Sequence, residues 1–337
     1  MKDKKVYYIV LFVGIVFQLD LFALPKMLDV HIKYADSISI SWKIDDPEEN
    51  MQIELGCFET ESKKIIEIEK KFMSGDIADI ETKPGYQLQI SNDAFLTELK
   101  EYTIFPKLIF DERIYYEMEL IPAGSYHVLI GKNIIEAVST RAFYVSKFEI
   151  TNEQFYAFID SDGYEIYEFW KIAKDIMSNM DVGWNYQGRL SMSKPHGWNF
   201  EDDPPWKEAD SNFRYSPVTD IRWFEANAFS NWMKCRLPNM NQIKSAFSES
   251  QYESEQIYEN FYMDSNGIFP LQNVKGGVSE WLAIGVPPVN VSCSAGCNEM
   301  FFIENNADNS NKPFGYMVKC PLYRNPALGF RIVIAVK

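Results

Sequence analysis

Apolar and polar residues alternate through Ser37-Ile-Ser-Ile-Ser-Trp42, Ile53-Glu-Leu55-Gly-Cys57 and Tyr86-Gln-Leu88-Gln-Ile90. No other pattern in the chain restricts the fold as much. A period of two sends successive side chains to opposite faces of an extended strand, so one face is buried and the other wetted. Asp45-Asp46-Pro47-Glu48, Gly75-Asp76 and Pro84-Gly85 supply turns between the runs. Residues 27–112 are therefore predicted to form a small all-β sandwich of immunoglobulin or fibronectin type III kind. Cys57 falls on the inward set of its run. The block contains no catalytic constellation, and its default role is a spacer or a partner-binding module.

The pattern changes at Glu117-Met-Glu-Leu-Ile-Pro-Ala-Gly124, where Pro122 and Gly124 break a strand and a second domain, residues 117–337, is predicted to begin. Thr151 followed by Gln154 is a capping box that satisfies the free amides of a helix start. Phe155, Phe158 and Ile159 then keep helical spacing. Residues 181–215, rich in Trp, Gly, Pro, Asn and Asp, read as an ordered loop pinned by aromatics. Ser216–Trp223 reads as a short strand. The helix predicted after it carries Ala228, Phe229, Trp232 and Met233 on one face and stops at Arg236-Leu237-Pro238. Cys235 reads as buried packing. Asn239 and Gln242 cap a third helix, and Leu328-Gly-Phe-Arg-Ile-Val333 is a closing strand. The expected class is α+β.

Lys2, Lys4 and Lys5 precede an apolar run from Val6 to Phe17, and Ala23 offers a small residue for cleavage. Residues 1–23 thus have the layout of a secretory signal peptide, with an uncleaved anchor and membrane tether as the alternative. The expected location is extracytoplasmic: periplasmic, cell-surface or secreted. In such a compartment disulfides persist, and the odd count of five cysteines leaves at least one thiol unpaired within the chain. Asp and Glu number 48 against 33 Lys and Arg, a net charge of −15. That balance opposes binding to nucleic acid and favours association with cations.

Asn273-Val-Lys-Gly-Gly-Val-Ser-Glu-Trp281 brings a carboxamide, a glycine pair and a carboxylate into nine residues. Glycine pairs are common turn punctuation. They also let carbonyl oxygens turn toward one point together with neighbouring side chains, the oxygen-rich environment a hard cation such as calcium takes.

In sequence order, Ile121-Pro-Ala-Gly124, Glu149-Ile-Thr-Asn152, Phe158 to Gly163-Tyr164, Pro217-Val218 with Trp223, Arg236-Leu237-Pro238, Gly276 to Glu280-Trp281, and Gly329-Phe330-Arg331 resemble the formylglycine-generating enzyme, or sulfatase-modifying factor, family. The resemblance implies a C-type-lectin-like α/β fold with modest regular secondary structure. It also implies a structural calcium held by Asn273, Gly276, Val278 and Glu280. Oxidases of the family convert a sulfatase cysteine to formylglycine through a copper-binding cysteine pair, since soft thiolates suit Cu(I). The weak counterparts here are Cys293 and Cys297, with Cys320 further on. The Arg-Gly-Gly-Ser motif that precedes the family pair is absent, and no arginine occurs between Arg236 and Arg324. A loop disulfide between Cys293 and Cys297, or a bridge from one of them to Cys320, competes with the copper reading. His31, His127 and His196 are scattered, and no His-x-x-x-His pair exists for iron.

The leading expectation is thus a calcium-stabilised binding or assembly scaffold with an unidentified protein partner and a lost oxidase site. A divergent oxidase, with copper as its cofactor, is the first alternative, and a calcium-dependent carbohydrate-binding module the second.

Overall fold

The computed structural model describes residues 24–336 apart from 35–36, 49, 60–67, 77, 80–84, 92–93, 95–101, 131–132, 140, 200–203, 205–210, 251–277, 287–298 and 305–314. The expected signal segment, residues 1–23, lies outside the described residues.

The N-terminal part consists of two antiparallel sheets of four strands. One contains β1 (Lys26–Tyr34), β2 (Ser37–Asp45), β4 (Met73–Gly75) and β6 (Tyr86–Ser91), in the order β1-β2-β6-β4. The other contains β3 (Gln52–Glu59), β5 (Ala78–Asp79), β7 (Tyr102–Phe110) and β8 (Arg113–Tyr115), in the order β5-β3-β7-β8. The alternation holds: Ile38, Ile40, Trp42 and Ile44 of β2 are buried, as are Tyr86, Leu88 and Ile90 of β6. Trp42 stacks on Tyr86, with centroids 5.9 Å apart. Both sheets contribute to a hydrophobic core that continues into the C-terminal part through Ile150, Phe155 and Phe158.

Polar contacts tie the two parts together. Glu117 accepts from Val30 N at 3.2 Å and from Lys147 Nζ at 2.8 Å. The Tyr144 hydroxyl donates to Asp45 at 2.6 Å, and Arg113 Nε to the Trp232 carbonyl at 2.8 Å. Buried charges carry a desolvation cost that only good partners offset.

The C-terminal part begins with β9 (Met118–Ile121), which ends at Pro122, and a hairpin of β10 (Gly124–Ile130) and β11 (Asn133–Ser139). β12 (Phe143–Ser146) is the middle strand of a three-stranded sheet, flanked by β9 and the late strand β17 (Val333–Ala335). α1 (Asn152–Asp160) starts at the expected capping box: Thr151 Oγ1 accepts from Gln154 N at 3.3 Å, and Gln154 Oε1 accepts from Thr151 N at 3.1 Å. α2 (Val182–Leu190), α3 (Trp223–Trp232) and α4 (Met240–Ser250) follow. Asn239 and Gln242 cap α4 reciprocally, at 2.9 and 3.0 Å. The last sheet is β15-β14-β13-β16, built from β13 (Ser279–Val286), β14 (Glu299–Glu304), β15 (Gly315–Lys319) and β16 (Leu328–Phe330), with β13 and β16 parallel.

Three expectations are corrected. Residues 181–215 are not all loop, because α2 opens them. Its two glycines weaken helix propensity and hid it, yet Gly183 is needed there: a Cβ at that position would sit 2.9 Å from the Trp170 carbonyl oxygen. Ser216–Trp223 is not a strand and makes only an isolated bridge between Thr151 and Pro217. Asp220, in the left-handed region at φ 56°, breaks its extension. The closing strand is two strands in different sheets, β16 and β17, with Arg331 and Ile332 between them.

Candidate functional site

That interruption at Arg331 organises the candidate site. β13 and β16 run in parallel with Glu280 opposite Gly329, and the chain leaves β16 two residues later at Arg331. Gly329 is the only residue type that fits its position, since a Cβ there would lie 2.6 Å from the Val218 carbonyl oxygen. The close approach presses α3, β13 and β16 together. Trp223 Nε1 donates to the Leu282 carbonyl at 2.8 Å, and Trp281 Nε1 to the Ile221 carbonyl at 3.2 Å. Both indoles are fully buried.

Arg331 is fully buried beneath this packing. Its Nε donates to Glu280 Oε1 at 2.8 Å, and its Nη1 donates to the carbonyls of Ser146 and Lys147 at 3.2 and 2.6 Å. Its Nη2 lies 3.3 Å from Glu149 Oε2. One guanidinium therefore clamps β13, the segment after β12 and the exit from β16. Only arginine offers such a fork of donors.

Two buried carboxylates, Glu149 and Glu280, lie against this one guanidinium. Burial pushes the Glu280 carboxyl up to about 7; Arg331 opposes that rise and Glu149 adds to it. Burial also disfavours the charge on Arg331, but Glu280 and Glu149 outweigh it and hold the guanidinium more firmly protonated. Glu280 Oε2 is buried without a hydrogen-bond partner among the described residues. An ionised carboxylate oxygen in that position is costly unless a proton or a cation meets it.

Of the residues expected to hold calcium, Glu280 is in the clamp and Val278 stands half-buried just before β13. Asn273 and Gly276 lie outside the described residues, as do Cys293 and Cys297. Cys320 is disulfide-bonded. Cys57 and Cys235 are free and buried, and burial pushes both thiols up to about 12, so neither is a thiolate near neutrality.

The histidines lie on separate elements: His31 in β1, His127 in β10 and His196 in the segment after α2. His196 Nδ1 is 2.5 Å from Asp220 Oδ2, on the exposed side of the molecule. Among the described residues no three His, Cys, Asp or Glu side chains converge as metal ligands would.

Sequence reasoning missed Glu149 and Arg331 as partners of Glu280. The available signal was a charged residue inside an apolar run, Phe148-Glu-Ile150 and Phe330-Arg-Ile332. Such residues are buried only when paired. A second buried carboxylate, Glu225, was also missed. Burial raises it, although it accepts from Tyr164 at 2.6 Å and from Arg222 N at 2.9 Å, anchoring the start of α3.

Residues 111–268 match the family model for the sulfatase-modifying factor enzyme 1-like domain. The match takes in just under half of the chain. The match covers the Glu149 and Arg236-Leu237-Pro238 segments and ends before Glu280 and Arg331, which the structure joins to them. Among curated proteins, the chain is similar to hercynine oxygenase of Mycolicibacterium thermoresistibile, 28% identical over 126 residues, 34% of this chain and 24% of that protein. It is likewise similar to hercynine oxygenase of Mycobacterium tuberculosis, 28% identical over 112 residues, 30% of this chain and 22% of that protein. The matched stretch thus spans about a quarter of the length of these relatives. Among solved structures, CarF aligns at TM-score 0.40 and 16% identity, over 66% of this chain and 98% of that one. PvdO from Pseudomonas aeruginosa aligns at TM-score 0.38 and 12% identity, over 67% of this chain and 96% of that one.

Proposed function

We propose that this chain is an exported, calcium-stabilised binding or assembly scaffold of the sulfatase-modifying factor family in which the oxidase site has been lost. The observation that carries the calcium reading is Glu280: a buried carboxylate with one oxygen on Arg331 and the other without a hydrogen-bond partner among the described residues. Its donor chemistry fits a hard cation, which would meet the Glu280 oxygen that no described donor reaches. The residues that would hold the ion are Asn273, the carbonyls of Gly276 and Val278, and Glu280. Calcium there would fix the start of β13 against β16 and perform no bond-making step.

Two features support loss of the oxidase site. The family Arg-Gly-Gly-Ser motif is missing, and Cys320 is in a disulfide, whose sulfur is not the thiolate that Cu(I) takes. The partner is a protein. Contacts such as those at Glu117 and Asp45 fix the N-terminal sheets against the C-terminal part, so a partner would meet both as one surface.

Calcium at a hundred times its Kd should stabilise the full chain by about 2.7 kcal/mol, read as a rise in Tm that chelation reverses. Glu280→Gln should abolish the response. An identical Tm with calcium and with chelator would remove the calcium reading. The functional reading is tested separately, by Cu(I) titration of the reduced chain and incubation with a Cys-x-Pro-x-Arg peptide. No stoichiometric copper and no formylglycine are expected; tight copper with peptide conversion would establish the divergent oxidase instead.

A further inference from the structure

Glu153 lies in the first turn of α1, where the N-terminal sheets meet the C-terminal part, and its side chain is 4% exposed. Donors from three segments converge on it. Lys107 of β7, only 2% exposed, donates Nζ to Oε1 at 2.9 Å. Arg214, at the far end of the stretch that follows α2, donates Nε to the same Oε1 at 2.8 Å, and its Nη2 pairs there too. The Tyr116 hydroxyl, just past β8, donates to Oε2 at 2.7 Å. Glu54 of β3 stands 3.2 Å from Lys107 Nζ, and the Tyr215 ring lies beneath the ammonium with its centroid at 6.0 Å. Among the described residues, these titratable and charged groups come to Glu153.

This geometry is asymmetric. Lys107 has a second, exposed carboxylate in Glu54, but that contact lies within the N-terminal sheets and does nothing to hold the junction. The bond from Lys107 to Glu153 crosses it. Arg214 is 29% exposed and can be rehydrated where it stands. Lys107 thus keeps Glu54 and Arg214 keeps water when Glu153 lets go, whereas Glu153 is buried where the two cations meet.

We infer that Glu153 is a proton-released latch: protonation of its carboxyl frees Lys107 and Arg214 together, and β7 and residues 211–215 loosen at the junction before the shared core unfolds. Burial would raise this carboxyl, but Lys107, Arg214 and the Tyr116 hydroxyl outweigh that and hold it below the usual carboxylate range. The sign follows from that depression. The latch is fully engaged above the ordinary Glu pKa of about 4.3 and is lost as pH falls through the lower folded value. The Tyr144 hydroxyl at the same junction holds the Asp45 carboxyl below its usual range, so acid loosens rather than reinforces that contact.

The test is amide hydrogen exchange of the full chain, comparing β7 and residues 211–215 with the core of α3. On acidification the wild type should lose protection at β7 and 211–215 while α3 stays protected. Glu153→Gln, which keeps the shape and removes the charge, should show that pattern at pH 7, with protection at β7 down about a hundredfold or more. If that variant does not fold, Arg214→Met serves: with one cation gone, the opening should move to higher pH. Loss of protection in all elements together, full protection of β7 in Glu153→Gln at pH 7, or an unmoved opening in Arg214→Met would each overturn the latch.

Discussion

Arg331→Ala should destabilise the protein by about 3–5 kcal/mol, because it leaves Glu149 and Glu280 buried together without their shared cation. Whole domains are stable by only about 5–15 kcal/mol, so the loss approaches the total. Two separate segments also lose their common hydrogen-bond donor: β13 at Glu280, and the carbonyls of Ser146 and Lys147. Urea unfolding checks this, with a lowered midpoint at nearly unchanged slope as the expected result. Arg331→Lys should recover little, since an ammonium cannot reach carbonyls and two carboxylates with a planar fork. A loss below about 1 kcal/mol, the scale of an exposed ion pair, would show that the clamp is not a structural element.

Trp281→Ala should cost about 3–5 kcal/mol by a different route. The indole is fully buried against Phe302, with ring centroids 5.5 Å apart, and bonds the Ile221 carbonyl. Its removal opens a cavity between β13 and the segment entering α3, and it leaves that carbonyl without its donor. Trp281→Phe should recover most of the packing but not the hydrogen bond. Chemical denaturation of the pair separates the two contributions, and equal stability of both variants would show that packing carries little. The neighbouring Trp223 makes the complementary bond to Leu282, so the double variant should be less than additive, as residues sharing one cavity are.

Both predictions concern residues whose importance the sequence displays unevenly. Trp281 stands out in any reading, beside Glu280 and after a glycine pair. Arg331 does not. Its sequence context, Gly-Phe-Arg-Ile, marks a buried strand end, and nothing local says that its partners lie 51 residues upstream at Glu280 and far beyond that at Glu149. The segments 149–152, 280–281 and 329–331 were each legible as motifs, because motif residues sit at fixed local spacing. Their meeting point was not, because it is set by the parallel pairing of β13 with β16, a register between distant strands.

The sequence by itself determined part of the local structure. Period-two alternation specified β2, β3 and β6, because a half-buried sheet allows no other arrangement of those side chains. Reciprocal side-chain caps specified the starts of α1 and α4, because the free amides of a helix end need partners within three residues. The ordered series of motifs pointed to the family whose model matches residues 111–268. Only the tertiary structure decided which buried charges share a partner. It placed Glu153 at the junction with Lys107 and Arg214, divided the closing strand at Arg331, and made the N-terminal sheets continuous with the core of the C-terminal part. The physical reason is range. Alternation and capping act over a few residues and leave a trace at fixed spacing, whereas desolvation and ion pairing depend on everything that surrounds a group in the folded chain.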